Sequence, residues 1–422
     1  MNLHLFLAAA ALALPLIGAA QPGPAAALEA YLPDPALARQ ILMQHPAVRA
    51  ARAQAEAQRS RADITQNGAA EFTTRLSQQR RRASDPNERY NETSLGVERP
   101  VRAWGKAGID ADLAEQERNA AQLNVNDALH ETSRELLQRW LELQRATVRR
   151  EESMAQVALA EELNRQAEGR LRRGDVSRLD ASLAQAELQR AQAARDLADA
   201  AHATAVAQLM RSFPGMETQI RPLPDTTRLA ADYAQLPLWP QLRQQLLDRH
   251  HGLQLLRAET ARQNLQARRA DRDRYPDPTL GVFAARERDG AENLVGVSIS
   301  IPWPGQLRQN LARATAAESR SADERLMLEE TRLGAEFEAR YLSLGPMIRA
   351  AESLETAAQT QRSAAEKSAR AYELGEHSMT ELVQNRRLAA EQRSQALLAR
   401  LDALHGLASL LLDLHVLWDL DE

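Results

Sequence analysis

The chain has 422 residues, a net charge of −4 and no cysteine, which excludes disulfides, thiolate metal sites, a Cys nucleophile and a lipid anchor on an N-terminal Cys. The near balance of charge leaves no basic field to hold nucleic acid, so nucleic acid is not an expected partner. Aromatics make up only 4 % while Ala, Leu, Gln, Glu and Arg dominate, a mixture that reads as long helices and coiled coil rather than two or three ordinary globular domains.

Residues 1–20 read as a secretory signal peptide, with an apolar run over 5–17 and small Gly18-Ala19-Ala20 for cleavage. They contain no Lys or Arg, and a plain Ala-rich tail is the alternative. Residues 21–35 form an N-terminal extension carrying Pro22, Pro24, Pro33 and Pro35. Beyond the signal no uncharged apolar run reaches the ~18 residues of a membrane helix. The most apolar late stretch, 404–420, is interrupted by His405, Asp413, His415 and Asp419. The chain reads as exported and not as a helical membrane protein.

A helix is predicted over about 46–66, with Pro46 suited to its first position and Gly68 to its stop. Residues 71–82 and 90–101 read as strands around a turn cluster at 83–87. Residues 106–173 hold no proline and predict a helix on the order of 100 Å long. Gly174-Asp175-Val176-Ser177 ends it, and Ser177 is placed to cap a return helix to about Met210. Five prolines then mark a linker over 214–240: Pro214, Pro222, Pro224, Pro237 and Pro240.

The same plan follows again: a helix over about 253–272, strands at 279–286 and 294–301 around Asp289-Gly290, a long helix over 306–374, and a return helix to about Leu417. Gly345-Pro346 inside the second long helix predicts a kink. Arg173-Gly174-Asp175-Val176-Ser177-Arg178-Leu179-Asp180 returns roughly 200 residues later as Leu374-Gly375-Glu376-His377-Ser378-Met379-Thr380-Glu381. Leu95-Gly96-Val97 with Gly105 returns as Val295-Gly296-Val297 with Gly305. A duplication of this size means two copies of one supersecondary unit. In each copy the two shorter helices, laid end to end, nearly match the long one. Leu179, Leu183, Ala186, Arg190, Ala193, Leu197 and Ala201 step by threes and fours, as do Leu397, Leu401, Leu404, Ala408 and Leu411, so the rods pack along heptad-like seams; an ordinary two-helix coiled coil has the same spacing.

The strands discriminate. Val295, Val297, Ile299 and Ile301 alternate with Gly296, Ser298 and Ser300, while Leu280 with Val282, Leu95 with Val97, and Phe72, Thr74 and Leu76 alternate more weakly. Four strands cannot close a barrel, whose smallest outer-membrane form uses about eight. Three copies supply about twelve, so a threefold oligomer follows if these are membrane strands.

With these turns, and with the strand-to-helix junctions Val101-Arg102-Ala103-Trp104-Gly105-Lys106 and Ile301-Pro302-Trp303-Pro304-Gly305-Gln306, the chain resembles the TolC-like outer-membrane efflux proteins over about 36–418. The resemblance divides it into a first repeat at 36–213, the linker, a second repeat at 241–418 and a tail at 419–422. It implies a mainly α fold with a small β part, in which a homotrimer shares a 12-stranded outer-membrane β-barrel and a long periplasmic α-helical barrel. It further implies an exit duct in the outer membrane with a periplasmic extension. The duct takes small molecules or metal ions from a periplasmic adaptor (a membrane fusion protein) and an inner-membrane pump. The compact length looks most like members serving resistance-nodulation-division pumps, including the heavy-metal (CzcC-like) branch. A duct for type I protein secretion and a periplasmic coiled-coil scaffold without a barrel are the alternatives. The chain departs from the family in its thinly apolar strands, in a girdle reduced to Phe72, Tyr90, Trp104, Phe283 and Trp303, and in lacking the Cys of lipid-anchored relatives.

By the family's pattern, Arg173, Gly174, Asp175, Ser177, Asp180, Gly375, Glu376, Ser378 and Glu381 form the pore entrance and the adaptor-docking surface. Read from the residues alone, Ser177 and Ser378 are helix N-caps, with Asp180 and Glu381 as capping-box partners. The two roles are compatible. In a trimer a pore-facing Asp180 or Glu381 repeats as a carboxylate ring that attracts cations and opens when protonated or paired. The nine histidines match no metal-site spacing and read as solvated: His250 and His251 point about 100° apart on a helix, His405 and His415 are ten apart, and His377 sits beside Glu376. Arg80-Arg81-Arg82, at the presumed outer loop, either meets anionic lipopolysaccharide or is solvated. No phosphate loop, Gly-x-Ser-x-Gly or His-Glu-x-x-His is present, so neither catalysis nor a cofactor is expected.

Overall fold

One plan, helix, two strands, long helix and return helix, occurs twice in this computed structural model, which describes residues 28, 31–85, 87–219 and 222–418. The expected signal peptide, most of the extension and the tail at 419–422 lie outside the described residues. Helix α1 spans Pro35–Gln44 and α2 Pro46–Asn67, followed by β1 (Thr73–Ser84), β2 (Asn87–Pro100), α3 (Lys106–Arg173) and α4 (Arg178–Ser212). The proline-rich stretch after α4 carries α5 (Thr226–Ala234) and α6 (Trp239–Arg249). Then come α7 (His251–Asp273), β3 (Thr279–Glu287), a 3₁₀ turn at Arg288–Gly290, β4 (Glu292–Ser300), α8 (Gln306–Glu373) and α9 (Met379–Asp413). The fold class is as the sequence predicts, mainly helical with one small antiparallel sheet.

The caps explain the helix limits. Asp34 accepts from the N–H groups of Ala36 and Leu37 and, with Pro35 at the first position, starts α1, a helix the sequence reading passed over. Gly68 stops α2 at φ +83°, a left-handed value that a side chain would strain. α8 runs through Pro346 as one continuous helix. Leu344 and Ile348 on either side of it are buried in the core, and Tyr233 of α5 packs on Gly345, where a Cβ would stand 3.0 Å from its hydroxyl. Tertiary packing holds this segment helical.

The main core lies at the waist of the rods. There α1, α5 and α6 cover α3, α8 and α9 around Trp140, Phe213, Leu246, Phe337, Leu407 and Leu411. Beyond the waist the seams thin to small residues, Ala55 and Ala121 toward the sheet and Ala160 and Ala191 toward the far end, which lets the helices approach closely. By length and composition α9 is apolar enough to cross a membrane, but half of its apolar window is buried inside the chain, as in a core helix.

The sheet is a four-stranded meander in the order β1-β2-β3-β4, so the two repeats meet at the β2–β3 pair, where Val97 faces Val282. A buried ion network ties the sheet to the helices. The Lys106 ammonium is fully buried and reaches the Tyr275 carbonyl and Asp277 at 2.8 Å and Asp273 at 3.1 Å. Asp110 is held by Arg102 at 3.0 Å and by Arg269 at 2.6 Å. Lys106 of the first repeat thus grips carboxylates of the second, and Arg269 of the second grips Asp110 of the first, where helix and strand meet.

Candidate functional site at the hairpin tips and the open sheet

The expected tip residues form two hairpin turns of the same construction. At the first, Gly174 has φ +78°, its N–H donates to the Leu171 carbonyl, and the Asp175 N–H donates to the Arg170 carbonyl at 2.9 Å. At the second, Gly375 has φ +79°, its N–H donates to Tyr372, and the Glu376 N–H donates to Ala371 at 2.9 Å. This pattern closes the end of a long helix, and glycine suits it because a left-handed residue is needed.

Each turn then opens its return helix with a capping box. The Ser177 hydroxyl accepts from the Asp180 N–H at 3.1 Å, while the Asp180 carboxylate accepts from the Ser177 N–H at 3.2 Å and from its hydroxyl at 2.8 Å. Ser378 and Glu381 repeat these three bonds at 3.2, 2.8 and 2.9 Å. The bond from the Ser378 backbone, followed by that from its hydroxyl, holds the Glu381 carboxyl below its ordinary value. Arg173 donates to Asp175 at 3.0 Å. Arg173, Gly174, Asp175, Ser177, Gly375, Glu376, Ser378 and Glu381 are all exposed, and Asp180 is half-buried.

The two tips lie side by side. Leu163, Ala167 and Ala184 of the first hairpin share a small core with Tyr372, Met379, Leu382 and Val383 of the second. Arg170 stacks over the Tyr372 ring at 5.1 Å, and Arg387 donates to Glu187 at 2.7 Å. His377 is tied to Ser368 at 3.2 Å. Leu179 and Leu374 project from the tips, each about two-thirds exposed. They belong to the repeated motif, yet apolar exposure at a turn is visible only once the fold is known.

At the other end the strand register sorts the sheet into two faces. Leu76, Leu95, Val97, Leu280, Val282, Val295, Val297 and Ile299 share one face. All are markedly exposed except the half-buried Val97, with Val295 at 87 %. The opposite face carries Ser77, Ser94, Gly96, Gly281, Phe283, Gly296 and Ser298, and Phe283 lies across Gly296, where a Cβ would stand 2.6 Å from the ring. Burying one such aliphatic side chain is worth roughly 1.5–3 kcal/mol. Eight together rival the whole stability of an ordinary domain, about 5–15 kcal/mol. Strands β1 and β4 form the two edges of this open sheet.

The histidines differ from the sequence expectation. His130, His250, His251 and His415 gather at the waist, with His251 and His415 4.6 Å apart edge to face and His130 and His415 5.3 Å apart and stacked. His251 and His415 are buried rather than solvated. Their chain separations, up to 285 residues, left no local spacing to read. Among the described residues no three His, Cys, Asp or Glu side chains are arranged to hold a metal ion. His250 caps α7, its Nδ1 accepting from the Leu253 N–H at 3.1 Å. Burial, then the nearby Arg134 guanidinium, pushes its pKa down to about 4.

No family model and no curated protein matches the chain. Solved structures do. The outer-membrane channel OprN superposes with a TM-score of 0.78 at 19 % identity, over 91 % of this chain and 90 % of that one. The Campylobacter jejuni CmeC outer membrane channel gives 0.72 at 13 % identity, over 99 % and 94 %. This chain has the fold of these outer-membrane channels. CusC, solved in a study of folding and transmembrane channel formation, gives 0.76 at 13 % identity, over 91 % and 92 %. At such identities the likeness concerns fold.

Proposed function

We infer that this chain is one third of a trimeric outer-membrane exit duct. The observation that carries the reading is the open four-stranded sheet, with its bare apolar face and two edge strands. A four-stranded sheet cannot close alone, and three copies make a barrel of about twelve strands with the apolar face toward lipid. The paired long helices continue below as the periplasmic wall. The chain performs no chemistry. It passes what an inner-membrane pump and a periplasmic adaptor deliver, and small molecules or metal ions are the expected cargo, including that of heavy-metal exporters. A secretion duct would share this architecture. A scaffold without a barrel would leave Val295, Val297 and Ile299 in water, and that exposure disfavours it.

In this reading the tips are the entrance and the docking surface. Exposed Leu179 and Leu374 supply the apolar contact for the adaptor, and Asp180 and Glu381, each present three times, supply a cation-attracting ring. The carboxylates cap helices and line the opening at once. Outer-membrane fractionation and a heat-modifiable oligomer band test the reading; a chain found only in the soluble periplasmic fraction would refute it. For the tips, Asp180→Ala or Glu381→Ala is expected to change single-channel conductance or cation preference, and unchanged values in both variants would retire the ring.

A further inference from the structure

The apolar face of the sheet is short for a membrane strand. On β4 it consists of Val295, Val297 and Ile299, and Asn293 ends the run toward the hairpin turn. Asn293 belongs to a cross-strand row that is polar throughout, with Gln78, Thr93 and Arg286. From Val295 to Ile299 is about 14 Å along the strand, or on the order of 10 Å of depth at a barrel tilt of about 40°. The outward apolar band of a membrane barrel stands about 25 Å tall. Aromatics within the strands do not make up the difference. Tyr90 pairs with Arg81 and Phe283 with Gly96, so both lie on the polar face.

Apolar surface continues the other way, past the sheet. Ile301 and Trp303 follow Val295, Val297 and Ile299 at the same spacing of two, and each precedes a proline, which holds it extended. They are 59 % and 95 % exposed. α8 then starts at Gln306, and Leu307 and Leu311 share one side of its first two turns, 80 % and 54 % exposed. Arg308 donates to the Asp273 carbonyl at 2.8 Å, which docks this turn on the end of α7. The matching positions of α3 are Ala107 and Ala111, so the apolar extension belongs to the second repeat. At the first-repeat junction Trp104 and Tyr275 stand 6.2 Å apart, and the Trp104 indole N–H donates to the Pro276 carbonyl at 3.2 Å. Arg99, a charge on the apolar face of β2, lies over the Phe72 ring at 5.0 Å and donates to the Ala70 carbonyl at 3.1 Å, toward the helix end. Rings with an apolar body and a polar tip suit the boundary between acyl chains and headgroups.

We propose that Ile301, Trp303, Leu307 and Leu311 form a lipid-facing collar that carries the apolar belt of the barrel onto the first two turns of α8. It sits in phospholipid at the acyl–headgroup boundary of the inner leaflet. The proposal rests on the exit-duct reading above. The dimensions support it: Val295 to Trp303 spans about 27 Å of extended chain, on the order of 20 Å of depth. The first six residues of α8 add about 9 Å. Together they supply the height that the sheet alone lacks. Lipid is the occupant because the collar prolongs the apolar face of β4, whereas contact between copies runs along the β1 and β4 edges.

The chain has no cysteine, so single variants Leu307→Cys and Leu311→Cys take one environment-sensitive fluorophore each. Val297→Cys on the sheet and Leu374→Cys at the tip are labelled as references. The full-length oligomers are reconstituted in phosphatidylethanolamine–phosphatidylglycerol vesicles carrying lipid spin-labelled near the headgroup or near the chain end. Labels at 307 and 311 are expected to be quenched by the headgroup-proximal spin label about twofold or more beyond the tip label, and less by the chain-end one. Quenching at Val297 but only tip-level quenching at 307 and 311 overturns the collar. Blue-shifted emission at 307 and 311 that ignores spin-labelled lipid means that a second copy covers them, and overturns the lipid assignment. If a variant fails to assemble, the native Trp303 answers the same question. Its emission, taken as wild type minus Trp303→Phe, is expected to be quenched by lipid brominated near the headgroup, and an unquenched difference spectrum overturns the collar. Absence of quenching at Val297 as well marks failure of the duct reading itself, which is distinct from an inserted barrel whose belt stops at the sheet.

Discussion

Ser177 and Ser378 each accept a hydrogen bond from one first-turn N–H of the return helix, that of Asp180 and that of Glu381. Replacing either with Ala is expected to cost about 1 kcal/mol, read as faster amide exchange confined to the first turn of its return helix. Because the folded Glu381 pKa lies below the unfolded value, its contribution is complete above the unfolded carboxyl pKa of about 4.3 and is lost as the pH falls through the lower folded value. The acid therefore stays ionised under mild acid, and any ring it forms is modulated by a bound cation or a partner's charge. His250 behaves in the same direction for another reason. Its folded pKa of about 4 lies below the unfolded 6.5, so the unfolded chain takes up the proton first. Stability contributed by the neutral ring is complete above about 6.5 and falls as the pH drops toward 4, by on the order of 2 kcal/mol once solvent screening is allowed for. Protection of the first turn of His251–Asp273 is expected to follow that curve, and His250→Asn, which keeps a capping acceptor without titrating, is expected to flatten it. Identical curves for the two proteins would contradict this role. The capping boxes were legible in the sequence because Ser and its acid stand three residues apart. The histidine cluster was not, because only tertiary folding brings its members together.

Helix limits were legible wherever the chain carries its own punctuation. The absence of proline over 106–173, with Gly105 before it and Gly174 after it, marks that helix to the residue. Pro35–Gln44 was passed over because four prolines read as an extended lead, although Asp34-Pro35 is itself a helix start. The 83–87 turn shrank because the ladder continues through Ala83 with Glu88 and Ser84 with Asn87. Proline inside Gln306–Glu373 leaves the helix continuous, with Tyr233 and the core packed around it. At this scale the vulnerable point is the sheet-to-helix junction. Lys106→Met removes the cation that Asp273 and Asp277 share and leaves both near a buried apolar stem. A loss on the order of 3 kcal/mol is expected, with the melting temperature falling and the β2–β3 pair opening first in hydrogen exchange. A variant as stable as wild type would show that the junction is held by packing alone.

The duplication and the four strands were legible in the sequence because they depend on spacing, and the proposed multimer follows from the arithmetic of closing a sheet. The contrast between the two sheet faces was only partly readable. Alternation in β1 and β2 is weak, and only the ladder shows that Leu76, Leu95, Ala284 and Val295 form one continuous row. In the proposed exit-duct reading no residue names the cargo, because selection would belong to the pump that feeds the duct.

The central claim is that the β4 edge of one chain closes on the β1 edge of the next, three times around. The native chain contains no cysteine, so one cysteine introduced on each edge strand, at Gln78 and Asn293, gives a clean background for a short bismaleimide linker applied to intact outer membranes. The account predicts a denatured ladder of one, two and three chains that stops at three. An uncross-linked monomer, or a ladder that climbs past three, would contradict it.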